Sequence, residues 1–146
     1  MARPDNHQNL RSEKEGFEYL RPALKGFYIP SPEERKILLE KLGLPPRYSR
    51  SFDVITMTTR SIAEITKPSQ VRLLEIKVTK KHLPEFPKGF FFGMTANEED
   101  LLKKHEGLFG LCLVSINEVK NSHVILTYKQ LEKLIRVKRV QFQINL

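Results

Sequence analysis

Residues 71–79 read VRLLEIKVT, the clearest strand pattern in the chain. Alternation puts Leu74, Ile76 and Val78 on one face and Leu73, Glu75 and Lys77 on the other. Burying an unpaired carboxylate or ammonium costs several kcal/mol, so Glu75 and Lys77 must face water, a partner charge or a metal ion. A plain ion pair on a surface strand is one interpretation of this pattern.

A second predicted strand, SFDVITMT at 51–58, supplies a further carboxylate. Asp53 precedes Glu75 by 22 residues and comes alongside it if the two strands pair. Two carboxylates at one point repel each other unless one is protonated or a cation bridges them. Mg²⁺, with Mn²⁺ as a substitute, accepts one or two carboxylates, a carbonyl such as that of Ile76, and waters. Lys77 would then orient water or stabilise phosphoryl charge, which suits hydrolysis of a nucleic-acid backbone.

Two capping boxes predict where helices begin. SPEE at 31–34 opens a helix that should end at Gly43, and TANE at 95–98 opens one that should stop at Gly107. Glu34 shares a helix face with Leu38, so two roles are open to it, as a cap and as an acidic residue facing a site. For Glu98, the capping role is the expected one.

The remaining pattern predicts more strands and one tail. GFFFGM at 89–94 predicts a strand buried on both faces, and further strands are expected at 108–116, 123–127 and 138–144, with a short helix at 128–135. Residues 1–15 lack apolar periodicity and are predicted to form a disordered tail. Residues 16–146 then form a single α/β domain whose sheet is covered on both faces.

Composition narrows the class of protein. The chain has 146 residues, 40% of them hydrophobic, and a formal charge of +8 from 25 Lys+Arg and 17 Asp+Glu. This composition excludes a wholly disordered or collagen-like chain, and the positive charge favours a nucleic-acid partner. Cys112 is the only cysteine, and there is no long apolar run, so we expect no disulfide, no spanning segment and a cytoplasmic location.

The order of these elements around Asp53 and Glu75-Ile76-Lys77 resembles the PD-(D/E)XK nuclease superfamily, which has the restriction-endonuclease-like fold. More narrowly, LLEIKVT followed by FFFGMTANEEDLLKKHEGLFGLCLVSI is similar to a small domain at the C-terminus of plant NO VEIN proteins and in bacterial restriction-type systems. The resemblance covers roughly residues 31–116. It implies an α-β-β-β-α-β core, followed here by an accessory strand–helix–strand.

The resemblance also implies a function, a Mg²⁺-dependent endonuclease acting on DNA. Asp53 and Glu75 would be metal ligands, Lys77 the catalytic lysine, and Glu34 the acidic residue that many members carry on their first helix. Lys80 and Lys81, just beyond Lys77, are expected to contact the nucleic acid. We expect the chain to form a homodimer or to belong to a larger restriction or mobile-element assembly. Two alternatives stay open: a catalytically silent nucleic-acid-binding module, and a structural domain with a plain ion-pair network.

Overall fold

The computed structural model describes residues 6–146, with side chains from residue 11 onward. Helices and strands follow one another as α1 (Asn6–Ala23), β1 (Phe27–Tyr28), α2 (Pro32–Leu42), β2 (Val54–Met57), β3 (Val71–Thr79), α3 (Ala96–Lys104), β4 (Phe109–Ser115), β5 (Ser122–Leu126) and α4 (Tyr128–Leu134). Short 3-10 helices occupy Pro46–Arg50, Ile62–Glu64 and Pro68–Gln70. Within this part of the chain, no helix is both long and apolar enough to cross a membrane.

The five strands form one mixed sheet in the order β1-β2-β3-β4-β5. Neighbouring strands are antiparallel except β3 and β4, which run parallel because α3 carries the chain back across the sheet. The predicted α/β class is therefore confirmed. β3 lies at the centre of the sheet, so residues on it are covered by elements on both faces.

The two faces of the sheet carry separate apolar cores. Under α1, the residues Leu74, Ile76, Val78 and Cys112 pack with Leu20. α2, α3 and the 3-10 helix at Pro46–Arg50 cover the opposite face, whose core contains Leu38, Leu39, Tyr48, Leu73, Leu101, Leu102, Leu111 and Leu113. The alternation predicted for β3 is confirmed, and Glu75 lies on the α3 side of the sheet with Leu73.

The N-terminal tail is the first correction. Residues 1–5 lie outside the described residues, but residues 6–15 form the first half of α1 rather than a disordered tail. The helix packs closely on β3 at Gly16, where an added Cβ would lie 2.7 Å from Val78 Cγ2. Among the residues whose side chains are described, those that pack α1 on the sheet, such as Leu20, come after residue 15. The turn before them carries Glu15, which forms an ion pair with Lys80.

Two predicted strands are also wrong. Residues 89–94 form an irregular loop, because Phe90 and Phe92 turn partly inward against the core while Phe91 stays exposed. Residues 138–144 have no strand partner in the described structure, and their apolar side chains face solvent. The accessory segment thus contains β5 and α4 but lacks the second predicted strand. The structure also contains a strand that was not predicted: β1, only two residues long, lies before β2.

Both predicted capping boxes are confirmed. Ser31 caps α2 and Thr95 caps α3, each with a reciprocal bond from the glutamate three residues later. α2 ends at Leu42, where Gly43 takes the left-handed conformation with φ 69°. α3 ends at Lys104, earlier than predicted, and His105 rather than Gly107 follows its last turn.

Candidate active site

A group of charged side chains, two of them buried and two partly buried, lies between β3 and the start of α3. We call Asp53, Glu75, Lys77 and Glu98 the acid–lysine cluster. Lys77 Nζ lies 3.1 Å from Glu75 Oε1 and 3.4 Å from Glu98 Oε1, so the ammonium sits between the two glutamates. Glu75 and Glu98 are only 5% and 6% exposed. The structure therefore brings three predicted site residues together and adds Glu98 to them.

Main-chain hydrogen bonds place Asp53. Its N–H donates to the Leu74 carbonyl at 2.8 Å, one residue before β2 begins at Val54. Before the start of β2, the Asp53 side chain takes the place of a strand partner for β3: Asp53 Oδ2 accepts the Ile76 N–H at 2.8 Å. The N–H and C=O of one strand residue face the same neighbour, so the Ile76 carbonyl lies on the edge of β3 that faces Asp53. The predicted convergence of Asp53 with the Glu75 strand is thus present.

Arg35 of α2 fixes the chain segment that leads into Asp53. Its guanidinium donates to four carbonyl oxygens, including Asp53 O at 2.8 Å and Ser49 O at 3.1 Å, and it stacks over the Phe52 ring at 4.9 Å. The other two acceptors are the carbonyls of Pro30 and Phe52. A planar fork of donors suits this task better than a lysine would. We expect Arg35 to hold the position of Asp53 rather than to touch a substrate.

Burial governs the protonation of the cluster. Desolvation is the largest factor that raises the pKa of Glu75, to about 10, and a hydrogen bond to Glu98 and the charge of Asp53 raise it further. Burial also acts to raise the pKa of Glu98, but the same hydrogen bond and the Thr95 N–H outweigh burial and lower it. Burial also raises the pKa of Asp53, although the Ile76 N–H counteracts it.

Lys77 keeps its proton in this environment. Desolvation alone would lower its pKa, but the neighbouring carboxylates Glu75 and Glu98 reverse the effect and raise it. The side chain is therefore a fixed positive charge. It can stabilise negative charge on a bound group, but it cannot act as a general base near neutral pH.

The donor set can be compared with the needs of a divalent cation. Asp53 and Glu75 offer hard carboxylate oxygens, the donor type that Mg²⁺ prefers, and a bound cation would compete with protonation of Glu75. Among the described residues there is no group of three or more acidic, histidine or cysteine side chains already arranged to hold a metal.

Glu34 lies elsewhere, which corrects its placement at the site. Both of its oxygens accept the Tyr28 hydroxyl, at 2.8 and 2.7 Å, and Oε1 accepts the Ser31 N–H at 2.9 Å. These bonds lower the pKa of Glu34, the one from the Ser31 N–H most of all. Its contacts are thus those of a cap tied to β1, and none of them joins it to Asp53, Glu75 or Lys77.

Glu13 of α1 has an exposed side chain, and its pKa responds to the charges of Asp53 and Lys77. Burial and then the charge of Asp53 raise the pKa of Glu13, while Lys77 lowers it. Sequence analysis missed it because residues 1–15 were assigned to a tail. A signal existed: Glu13, Phe17, Leu20 and Leu24 follow helical spacing, which places Glu13 one turn before the apolar stripe of α1.

The predicted nucleic-acid residues follow directly after β3. Lys80 is exposed and forms an ion pair with Glu15 of α1. Lys81 is exposed as well, and its carbonyl accepts the Ser115 hydroxyl at 2.7 Å, which ties this segment to the end of β4. Their role toward nucleic acid stays a prediction.

Comparison of the chain with protein-family models, with curated proteins and with solved structures finds no match.

Proposed function

We propose that this chain is a Mg²⁺-dependent endonuclease of the restriction-endonuclease-like fold that hydrolyses phosphodiester bonds of DNA. One observation carries the proposal: Asp53, at the start of β2, and Glu75, on β3, converge beside a permanently charged Lys77. Glu75 is buried and Asp53 and Lys77 are partly buried, and charged groups taken out of water in this way are costly to maintain. Hydrolysis of a phosphodiester is a chemistry that requires each of them.

The order of elements supports the finer statement about the fold. Within residues 31–116, α2, β2, β3, α3 and β4 follow the implied order, but the third strand, expected at 89–94, is a loop. β1, which lies before α2 in the chain, adds a strand at the edge of the sheet instead. Cys112 is buried in the sheet, and we propose a cytoplasmic location for the chain.

In the proposed mechanism, Asp53, Glu75 and the Ile76 carbonyl hold the metal. When bound, Mg²⁺ polarises the phosphodiester and makes a bound water more acidic. Glu75 gives up its proton as a ligand, so metal affinity should rise with pH. Lys77 places its ammonium against the charge that develops on the phosphoryl oxygens, and Glu98 holds Lys77 in that position.

The substrate is proposed from charge. The chain carries +8 overall, and the exposed Lys80 and Lys81 extend the strand that carries Lys77. Lysines at this position can pair with successive phosphates and guide a strand across the cluster. Assembly of two copies, or with other components of a restriction or mobile-element system, is the arrangement we propose for cutting both strands.

A test compares purified wild type, Asp53→Ala and Lys77→Ala on plasmid DNA with Mg²⁺, with Mn²⁺ and with EDTA. We expect metal-dependent cleavage by the wild type and a loss of about 10²–10³-fold for Lys77→Ala, because one preorganised charge is removed from the transition state. DNA affinity without metal should stay unchanged. Lys104→Ala is the matched control, since Lys104 is an exposed lysine paired with Asp100 on α3.

The main alternative is a binding or structural module without cleavage. The observation that favours it is that Lys77 already has partners in Glu75 and Glu98 and so forms a closed ion-pair network. In that case Lys77→Ala would lose stability, the plasmid would remain intact with every metal, and Mn²⁺ would shift the melting temperature of wild type and Asp53→Ala equally.

A further inference from the structure

The loop between β3 and α3 holds one aromatic side chain in solvent. Phe91 is 92% exposed, more than any other large hydrophobic residue described between residues 11 and 134. Its neighbours Phe90 and Phe92 are partly buried against the α3-side core. The chain therefore turns two phenylalanines inward and directs the one between them outward.

The loop is held, so the ring is presented on a supported surface. Phe90 packs edge-to-face with both Phe86 and Phe92, at centroid distances of 6.4 and 5.8 Å. The Phe90 N–H donates to the Pro87 carbonyl at 3.1 Å. An exposed ring on a held loop loses little conformational entropy when a flat partner covers it.

Phe91 stands close to the acid–lysine cluster along the chain. Four residues separate it from Thr95, whose N–H donates to Glu98 Oε1 at 2.8 Å, the same oxygen that lies 3.4 Å from Lys77 Nζ. Four extended residues span at most about 14 Å. A nucleic-acid strand whose phosphate lies at the cluster would thus reach Phe91 within a few nucleotides.

The charged residues near Phe91 in sequence indicate which kind of partner its ring would bind. Between residues 77 and 94 there are four lysines and one glutamate: Lys77, Lys80, Lys81, Lys88 and Glu85. Lysines beside an exposed aromatic ring are typical of surfaces that bind single strands, where cations follow the phosphates and the ring stacks on a base. A single exposed ring on a chain segment rich in lysine offers too small an apolar area for a protein partner or a lipid core.

We propose that Phe91 stacks on an unpaired base of the nucleic-acid strand that lies across the acid–lysine cluster. This inference rests on the proposed function only in that the cluster binds nucleic acid. It adds a preference for a strand with an accessible base, such as single-stranded or frayed DNA, over a fully paired duplex. Since every base has a π face, the contact selects strand structure more than sequence.

The test uses the absence of tryptophan from the chain. Phe91→Trp introduces the sole tryptophan, and Ile37→Trp, at a half-exposed position on α2, is the matched control. Both are titrated in EDTA with a single-stranded oligothymidylate and with an abasic oligonucleotide of equal length. We expect saturable quenching of Phe91→Trp by the oligothymidylate alone and little change in the control.

Affinity gives a second readout. Phe91→Ala should bind the oligothymidylate about 5–150-fold more weakly than wild type, which corresponds to the loss of one stacked base. Its salt dependence should be unchanged, because no phosphate contact is removed. The substitution lies in solvent, so the fold should remain intact, and the melting temperature of Phe91→Ala checks this.

Each contrary result is distinct. Equal quenching by the abasic strand, or equal quenching at position 37, would overturn the stacking contact. So would a response of Phe91→Trp to anionic lipid vesicles with none to oligonucleotides, which would assign the ring to a membrane surface. Normal plasmid cleavage with unchanged affinity in Phe91→Ala would overturn this inference and leave the nuclease proposal standing. Base-specific quenching without any metal-dependent cleavage would support the stacking contact and overturn the nuclease proposal.

Discussion

The N-termini of α2 and α3 carry the same capping device but place its glutamate in different surroundings. In α2, Ser31 Oγ accepts the Glu34 N–H at 3.2 Å, and in α3, Thr95 Oγ1 accepts the Glu98 N–H at 3.1 Å. Both glutamates return a bond to the N–H of the capping residue. Beyond the cap, Glu34 binds the Tyr28 hydroxyl at the edge of the sheet, whereas Glu98 reaches Lys77 at its centre.

This difference shows that a local motif determines the cap but not the second role of its carboxylate. The second role depends on which strand passes beneath the first turn of the helix. α2 begins beside the two-residue β1, which offers a neutral hydroxyl. α3 begins above β3, which offers a partly buried ammonium, so the same side chain becomes part of the acid–lysine cluster.

The first prediction compares the loss of stability in Glu98→Ala and Glu34→Ala, and we expect the largest loss in Glu98→Ala. Glu98→Ala leaves the partly buried Lys77 with one partner fewer and removes a buried, hydrogen-bonded carboxylate, which we expect to cost about 1–3 kcal/mol. Glu34→Ala loses only bonds at a partly exposed cap, so its effect should be clearly smaller. Urea unfolding of both variants measures the difference. Equal losses would mean that Glu98 is no more than a cap.

Local signals in the sequence predicted much of this structure. The capping boxes located α2 and α3, and the alternation in residues 71–79 located β3 and both of its faces. The 22-residue spacing placed Asp53 beside the Glu75 strand, because the intervening chain returns through two short 3-10 helices. These features depend on neighbours in sequence or on a single strand pairing, which is the information that periodicity and turn chemistry carry.

The features that were missed depend on contacts between distant parts of the chain. The close approach of α1 to β3 depends on Gly16, which lies against Val78. Arg35 looks like an ordinary helix charge until its carbonyl partners are known. Phe91 was assigned to a buried strand because three phenylalanines in a row carry no periodicity, and only packing decides which of them turn inward.

A second prediction uses pH to separate the two capping regions. Glu75, beside Glu98, has a pKa raised from 4.5 to about 10, so the folded protein keeps a proton that the unfolded chain releases. Stability without metal should therefore fall as pH rises between these values, by up to about 1.4 kcal/mol per pH unit. Glu34 has a lowered pKa, and its contribution is lost only in acid.

Glu75→Gln reproduces the neutral form of the side chain and isolates this effect. Its urea midpoint, measured in EDTA from pH 5 to pH 9, should exceed that of wild type by an amount that grows with pH. The variant should also lose metal-induced stabilisation, since an amide is a poorer ligand for a hard cation. Parallel curves for the two proteins would show that Glu75 is ionised in the folded state.

We expect the smallest loss of stability from removing the serine and threonine hydroxyls of the two capping boxes. Ser31→Ala and Thr95→Ala each remove one bond to an N–H in the first turn, and each should cost about 1 kcal/mol. The two costs should be similar, since the bonds they remove are of similar length. Thr95→Ala should also leave cleavage intact, because Glu98 is still held by the Thr95 N–H and still contacts Lys77. If Thr95→Ala instead lost activity as Lys77→Ala does, the hydroxyl would be needed to position Glu98. The contact of Glu98 with Lys77 would then depend on the Thr95 hydroxyl. The two capping boxes would differ in the role of the hydroxyl as well as in the role of the glutamate.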